Sequence, residues 1–320
     1  MISGDDPHTV SGIAQKVGIP NADQYIDCSQ LNTEQDIQEA VARYSVFGRV
    51  RPEQKKAFVL ALQEEGHTVA MTGDGVNDVL ALKAADCSVA MASGSDAARN
   101  VAQLVLVNND FASMPKVVAE GRRSINNLQR SASLFLVKTI FSIVMAVLFI
   151  FLPWQYPFMP IQMTLVSAMT IGLPSFVLAL EPNHDLVRGH FLRNCVVRSI
   201  PGAICVIVSI LAVSLVGYLW LDLSYAQIST LCVLLTALIG VMLVIRLSIP
   251  YTPIRTALLV VVLGGLVLGC TVAAPLFNIA PLTQAMGITF AAIGIVDVVA
   301  FQLLFNAFDR LHKTSQAKAA

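Results

Sequence analysis

The chain has 320 residues, 55% of them hydrophobic and 13% charged, with a formal net charge of zero. Its mean hydropathy of +0.68 is too high for an ordinary soluble domain. Neutrality argues against nucleic acid as a partner, because phosphate contacts need concentrated basic residues and only Lys55–Lys56 and Arg122–Arg123 stand together.

These averages conceal a division. Residues 1–130 carry 28 of the 42 charged side chains and residues 131–320 carry 14, so a soluble piece is expected to precede a membrane piece. The six cysteines, Cys28, Cys87, Cys195, Cys205, Cys232 and Cys270, form no C-x-x-C pair and read as buried thiols. The opening MISGDDPHTV has no basic stretch leading into an apolar core; with no signal peptide read there, the first half is expected in the cytoplasm.

In chain order, Ser3-Gly4-Asp5 comes first. A hydroxyl with adjacent backbone amides suits a phosphoryl group, although a polar chain start reads the same way. Arg49-Val50-Arg51-Pro52-Glu53-Gln54-Lys55 follows, with a helix starting near Pro52. Lys55 just inside it is placed either to neutralise phosphate charge or to lie on a solvated basic face.

Residues 69–72, 88–91 and 104–107 read as strands, and 76–85 and 97–103 as helices. That alternation predicts βαβ units in a doubly wound α/β domain. Thr72-Gly73-Asp74-Gly75-Val76-Asn77-Asp78 falls where a strand gives way to a helix. Two carboxylates four residues apart, on a Gly-rich turn at the carboxyl edge of a parallel sheet, suit a hard cation such as Mg²⁺.

From Pro115 no glycine beyond Gly121, and no proline, interrupts the chain until Pro153. One helix over those 38 residues would run ~57 Å at 1.5 Å per residue, a stalk from the sheet into the membrane. Two helices that break near Gly121 are the alternative. Six apolar runs of bilayer length follow, at 131–152, 158–180, 199–221, 226–249, 254–277 and 284–307, making the second half an all-α six-helix transmembrane domain.

The connectors after the first, third and fifth runs carry no Lys or Arg. Those after the second, fourth and sixth carry Arg188, Arg193 and Arg198, then Arg246 and Arg255, then Arg310, Lys313 and Lys318. Eight of the nine basic residues thus lie on one side, which predicts that both ends of the membrane half, and the soluble half with them, face the cytoplasm.

The soluble motifs together resemble the C-terminal part of a P-type cation-transporting ATPase, whose phosphorylation domain belongs to the haloacid-dehalogenase superfamily. Ser3 matches the hydroxyl position of the family's T-G-D segment, Lys55 the phosphate-binding lysine, and TGDGVNDVLALKAADCSVAM the hinge signature. The likeness continues through GRRSINNLQRS into the first span. It implies Mg²⁺ and ATP as cofactors, with Asp74 as a Mg²⁺ ligand and Asn77 and Asp78 at the phosphorylated site. Asp78 also enters as the second carboxylate for Mg²⁺, Gly4 and Asp5 stand near the nucleotide, and Arg49 joins Ser3, Gly4, Asp5 and Lys55 in cofactor binding.

The sequence holds no D-K-T-G-T, the segment with the aspartate that the family phosphorylates, and no T-G-E. It is therefore read as a fragment, inactive alone, whose first partner is the missing N-terminal part of the same protein. Its domains on this reading are 1–114 (the C-terminal part of the phosphorylation domain), 115–130 (the stalk), 131–307 (the spans) and 308–320 (a cytoplasmic tail).

The resemblance also implies a transported cation and membrane lipid as partners. In the second span the family's calcium pumps carry Asn and Asp where this chain has Ser167 and Ile171, while Thr170 and Gly172-Leu173-Pro174 remain. Hydroxyls and carbonyls freed near Pro174 are candidate ligands; for Ser167 and Thr170 helix packing by small polar residues is the alternative to a ligand role. Lys138 in the first span and Asp297 in the sixth are charges inside the bilayer, each costing ~2.5–3.5 kcal/mol, and so are functional candidates by default. Lys138 reads as a built-in counter-cation, a gate, or a snorkelling lysine; Asp297 as a ligand, a partner for Lys138, or a packing group. Glu181 reads as interfacial.

A heavy-metal pump is disfavoured, because no Cys-Pro-Cys occurs. A lipid- or polyamine-transporting relative and a non-enzymatic regulatory protein with a degenerate phosphatase-like domain are the remaining alternatives. The short loops and absent targeting signals point to a plasma membrane.

Overall fold

The computed structural model describes every residue except His184, Arg188 and Ala320, and omits the side chains of residues 312–320. Arg188 and the side chains of Lys313 and Lys318, part of the charge pattern above, lie outside the described residues. The chain divides into two compact units, Met1–Lys116 and Val117–Ala320.

In the first unit, α1 (Pro7–Lys16) begins where the Asp6 carboxylate accepts the His8 N–H at 3.0 Å, satisfying a donor that a helix start leaves open. Strands β1 (Tyr25–Asp27) and β2 (Val46–Gly48) pair in parallel, flanking α2 (Glu34–Arg43) in sequence. The chain start also runs along β2: Ile2 bridges Phe47, and the Ser3 N–H donates to the Phe47 carbonyl at 3.0 Å.

Pro52 opens α3 (Pro52–Glu64), its fixed φ and missing N–H costing nothing at a first helical position. Beyond it, β3 (Ala70–Gly73), α4 (Val79–Ala84), β4 (Cys87–Met91), α5 (Asp96–Val101) and β5 (Leu104–Leu106) give a second parallel sheet in the order β3-β4-β5. The expected alternation is present. The three expected strands form this one sheet, with β3 at its edge; the β1-β2 pair is a second small sheet beyond the expected strands, and no ladder joins β2 to β3 among the described residues. Helix α3 serves both sheets, placing Phe58 against Phe47 at a ring separation of 4.6 Å and Val59 among Ala81 and Ala85 of α4 and its C-terminal end.

In the second unit, six helices among the described residues are long and apolar enough to cross a membrane. The first, α6 (Met114–Phe151), is unbroken over 38 residues and does not part at Gly121. Ser133, Leu134, Val137, Phe141 and Met145 recur at helical spacing and form its buried face. The second span is α7 (Pro160–Ser167), a π-helical turn over Ala168–Gly172, and α8 (Leu173–Leu180). The others are α9 (Phe191–Leu219), α10 (Tyr225–Leu247), α11 (Pro253–Thr271) and α12 (Gln284–Ala319), which stays helical through the expected tail.

Helix α10 is apolar on all sides, as a central helix must be, and packs against α7, α9, α11 and α12. Four of the cysteines, Cys28, Cys195, Cys205 and Cys232, are buried; Cys87 and Cys270 are only half-buried, a correction to the reading of all six as buried. Burial, and then the charge of Asp27, push the Cys28 thiol up to about 12.

A Cβ at Gly240 on α10 would stand 2.9 Å from the Thr170 side chain on the π turn. Gly240→Val is therefore expected to destabilise the membrane unit by about 1–3 kcal/mol, the cost of overpacking a filled core. A lowered midpoint in detergent thermal unfolding followed by circular dichroism would register it, and an unchanged midpoint would refute the tight contact.

Candidate functional site

The heptad sits on one strand–turn–helix corner of the first unit. β3 ends at Gly73, a 3₁₀ turn covers Val76–Asp78, and α4 begins at Val79. The close turn requires Gly73, since a Cβ there would lie 2.5 Å from the Asp78 Cβ. The two carboxylates of the motif have unlike surroundings. Asp78 is buried, and its Oδ1 meets the Lys55 Nζ at 2.6 Å while its Oδ2 accepts the Gly75 N–H at 3.2 Å. Asp74 is exposed, and its backbone carbonyl, accepting the Ser95 N–H at 2.7 Å, anchors the turn. Asn77 is exposed as well.

This geometry decides which oxygens are available to a cation. Both Asp78 oxygens are engaged by donors, whereas the Asp74 carboxylate stands at the carboxyl edge of β3 facing solvent. A hard divalent cation prefers ionised oxygens with room for its own waters, and Asp74 fits that requirement. Asp78 instead fixes Lys55, whose nitrogen is thereby held at the same turn.

Ser3 is half-buried and donates its hydroxyl to the Asp5 carboxylate at 2.8 Å, while the exposed Asp5 N–H donates back to the Ser3 Oγ at 3.2 Å. Gly4 is exposed between them. Arg49 has a left-handed backbone, φ 52°, unusual for a non-glycine residue. Its guanidinium bridges Asp6 at 2.9 Å and Asp27 at 2.8 Å. Hydrogen bonds from Ser29, and then the Arg49 charge, hold Asp27 below the usual carboxylate range. Arg49 thus ties the chain start to β1, and its direct partners are carboxylates of its own unit.

Within the membrane unit, Lys138 does not meet Asp297. The Lys138 Nζ donates to the Ser167 Oγ at 2.8 Å, and both residues are half-buried. Together with Thr170 and Thr236 they line a small cavity of about 30 Å³. The π turn runs past this mostly apolar cavity: the Leu173 N–H reaches back five residues to the Ala168 carbonyl, and Pro174 has no N–H to offer the Thr170 carbonyl. Asp297 is buried and accepts a 2.6 Å hydrogen bond from Ser209 on α9, while its Oδ2 has no hydrogen-bond partner among the described residues.

The sequence reading missed the burial of Glu181, which it placed at the interface. The Glu181 carboxylate takes the Arg255 Nε at 2.6 Å and the Thr252 hydroxyl at 2.9 Å, with Arg130 at 3.9 Å. Nothing local signals this cluster, because its members come from three different helices or helix ends.

Comparison with known proteins agrees with these observations. Residues 1–86, and in a second match 56–118, fit models of haloacid dehalogenase-like hydrolases. The probable cation-transporting ATPase exp7 of Streptococcus pneumoniae is 43% identical over 83% of this chain and 35% of its own length. Calcium-transporting ATPase CtpE of Mycobacterium bovis is 42% identical over 81% of this chain and 34% of its own length. The chain is a relative of the cation-transporting P-type ATPases. It spans about a third of the length of these two relatives. The P-type sodium-transporting ATPase4 of Toxoplasma gondii is 37% identical over 58% of this chain and 15% of its own length, so likeness to cation-transporting ATPases extends across proteins named for different ions.

In this P-type ATPase relative the Lys55–Asp78 pair is largely shielded, with side-chain exposures of 15% and 9%. Lys55→Met, which strands a buried carboxylate, is expected to destabilise the chain by about 3 kcal/mol. Adding Asp78→Asn should recover part of that loss. Denaturant unfolding followed by far-UV circular dichroism measures both, and equal stability of the Lys55→Met and unsubstituted chains would remove the pair from the account.

Proposed function

We propose that the chain is the C-terminal part of an ATP-driven cation pump that couples Mg²⁺-dependent aspartyl phosphorylation to cation transport across a membrane. The observation that carries this reading is the corner where an exposed Asp74 shares its turn with Asp78, which holds the Lys55 ammonium at 2.6 Å. The phosphorylated aspartate would come from a segment that this sequence does not contain, so the chain by itself is expected to hydrolyse no ATP.

On this proposal residues 1–114 are part of the phosphorylation domain, 115–130 the stalk, 131–307 the spans and 308–320 a cytoplasmic tail, in a plasma membrane. Asp74 holds Mg²⁺, which when bound offsets phosphate charge. Lys55 offsets phosphate charge directly, and Asp78 keeps its ammonium in place. Asn77, exposed on the same turn, reaches toward the phosphorylated residue. Ser3, Gly4 and Asp5 contribute a hydroxyl and backbone donors on the phosphate side; Arg49 supports them by tying Asp6 to Asp27.

Of the transport candidates, Ser167 precedes the π turn and Thr170 lies within it, and Lys138 places an ammonium at the cavity that they share. Where relatives are named for calcium, this cation-bearing cavity supports a site in which the resident ammonium substitutes for one charge or leaves when the transported ion enters. Asp297, bonded to Ser209, stands as a separate candidate ligand.

Two measurements on the full-length protein test the proposal. Asp74→Asn is expected to abolish Mg²⁺-dependent phosphoenzyme formation from labelled ATP, and retained labelling would overturn the role of Asp74. Lys138→Met is expected to leave phosphoenzyme formation intact and to shift the cation dependence of ATP hydrolysis, with calcium first among the ions to titrate. Stimulation by lipid or polyamine alone, with no cation effect, would overturn the cation-pump reading.

A further inference from the structure

At one end of the membrane unit lies an open cavity of about 190 Å³ that none of the proposed chemistry uses. Its lining is cationic and apolar together: Arg130, Arg198 and Arg246 line a space otherwise bounded by residues such as Phe305 and Phe308, and the exposed Asp309 lines it too. The four elements involved are α6 at the start of its apolar stretch, the N-terminal part of α9, the C-terminal end of α10 and the C-terminal part of α12. All of these positions fall on the side to which the charge pattern assigns the basic connectors.

The three guanidinium groups are unequally satisfied from within. Arg246 donates to the Asn306 side chain at 2.7 Å and lies 5.1 Å from the centre of the Phe305 ring. Arg130 has Glu181 at 3.9 Å, beyond hydrogen-bond reach, and its Nη1 is buried without a hydrogen-bond acceptor. Glu181 is committed to Arg255 at 2.6 Å. Arg198 makes no ion pair among the described residues, and Asp309 has an interaction of its own. An anion in the cavity would give Arg198 the ionic partner that it lacks among the described residues, whereas the Arg130 Nη1, closed off from the surface, faces Glu181. Tetrahedral phosphate oxygens match the planar donor fork of arginine better than any neutral ligand does.

We propose that this cavity binds the phosphate of an anionic phospholipid headgroup, with Arg198 and Arg246 contacting the phosphate and Arg130 adding positive charge at its wall. The occupant is a lipid rather than free phosphate because the aromatic and aliphatic remainder of the lining continues onto the bilayer-facing sides of the helices. Leu303 and Ile249 are exposed there, offering a path for acyl chains. Basic pockets between spans are a recurring means of holding such headgroups. The proposal rests on the reading of these helices as membrane spans.

Native mass spectrometry of the detergent-solubilised full chain, titrated with phosphatidylglycerol and with phosphatidylcholine, tests it. The expected result is selective retention of one phosphatidylglycerol, weakened about fivefold by Arg198→Gln, the loss of one basic contact to an anionic headgroup. Arg198→Lys should restore most of the affinity, which separates charge at the pocket from misfolding of the variant. Equal retention of the two lipids, or identical affinities in Arg198→Gln and the unsubstituted chain, would overturn the pocket while leaving the spans in place. Competition by millimolar inorganic phosphate that displaces the lipid fully would also overturn it, by making free phosphate the ligand.

Discussion

A polar group withdrawn from water must find a partner, and in helices of bilayer length no solvent is at hand to excuse a failure. The membrane unit is organised by that constraint. Gln162, fully buried at the head of α7, accepts the Ser229 hydroxyl at 2.7 Å and donates to the Asn278 carbonyl at 3.0 Å, joining the second span to α10 and to the chain before α12. Asn127 on α6 donates to the carbonyls of Ala179 and Glu181, where α8 ends and its last carbonyls lack helical donors. Ser199 on α9 reaches the Ser133 carbonyl on α6 at 3.0 Å. These bonds fix which helix faces which, a task that apolar contact alone performs poorly when lipid is as apolar as leucine.

The same constraint gives meaning to the second span. A π turn leaves one more residue in the turn than an α-helix holds, and Pro174 withdraws a donor just beyond it, so polar backbone is concentrated where Lys138 and Ser167 meet. Close approach of α10 at Gly240 seals the far side. The lysine occupies a mostly apolar pocket whose polar lining is the hydroxyls of Ser167, Thr170 and Thr236, with no carboxylate among its lining residues. Asp297 is answered by Ser209 on another helix and does not neutralise it.

Much of this was readable in the chain before its structure. The heptad at 72–78, the helix from Pro52, the apolar runs and the basic connectors are local patterns, and local patterns survive folding. What was not readable depends on pairing across long separations. Glu181 becomes a buried ion rather than an interfacial one only because Arg255, 74 residues away, arrives beside it. The three expected strands do form one parallel sheet, but the second pair, β1 and β2, was not readable because each is only three residues long. The π turn had a local signal in Gly172 and Pro174, but a proline in an apolar run reads equally well as a kink.

The unequal carboxylates of the heptad show how one short motif divides its labour. Two free carboxylates four residues apart would be free to ligate one cation together. Burial decides otherwise: Asp78, taken out of water, must be compensated, and the Lys55 ammonium and the Gly75 N–H do so. Asp74, left in water, needs no such compensation and keeps its oxygens available. The lysine, in turn, is held by the buried carboxylate at a fixed place rather than waving on a four-carbon stem, which lowers the entropy lost when it meets an anion. The difference between the two aspartates thus follows from where the turn places them, and the glycine that permits the turn, Gly73, is the residue on which both roles depend.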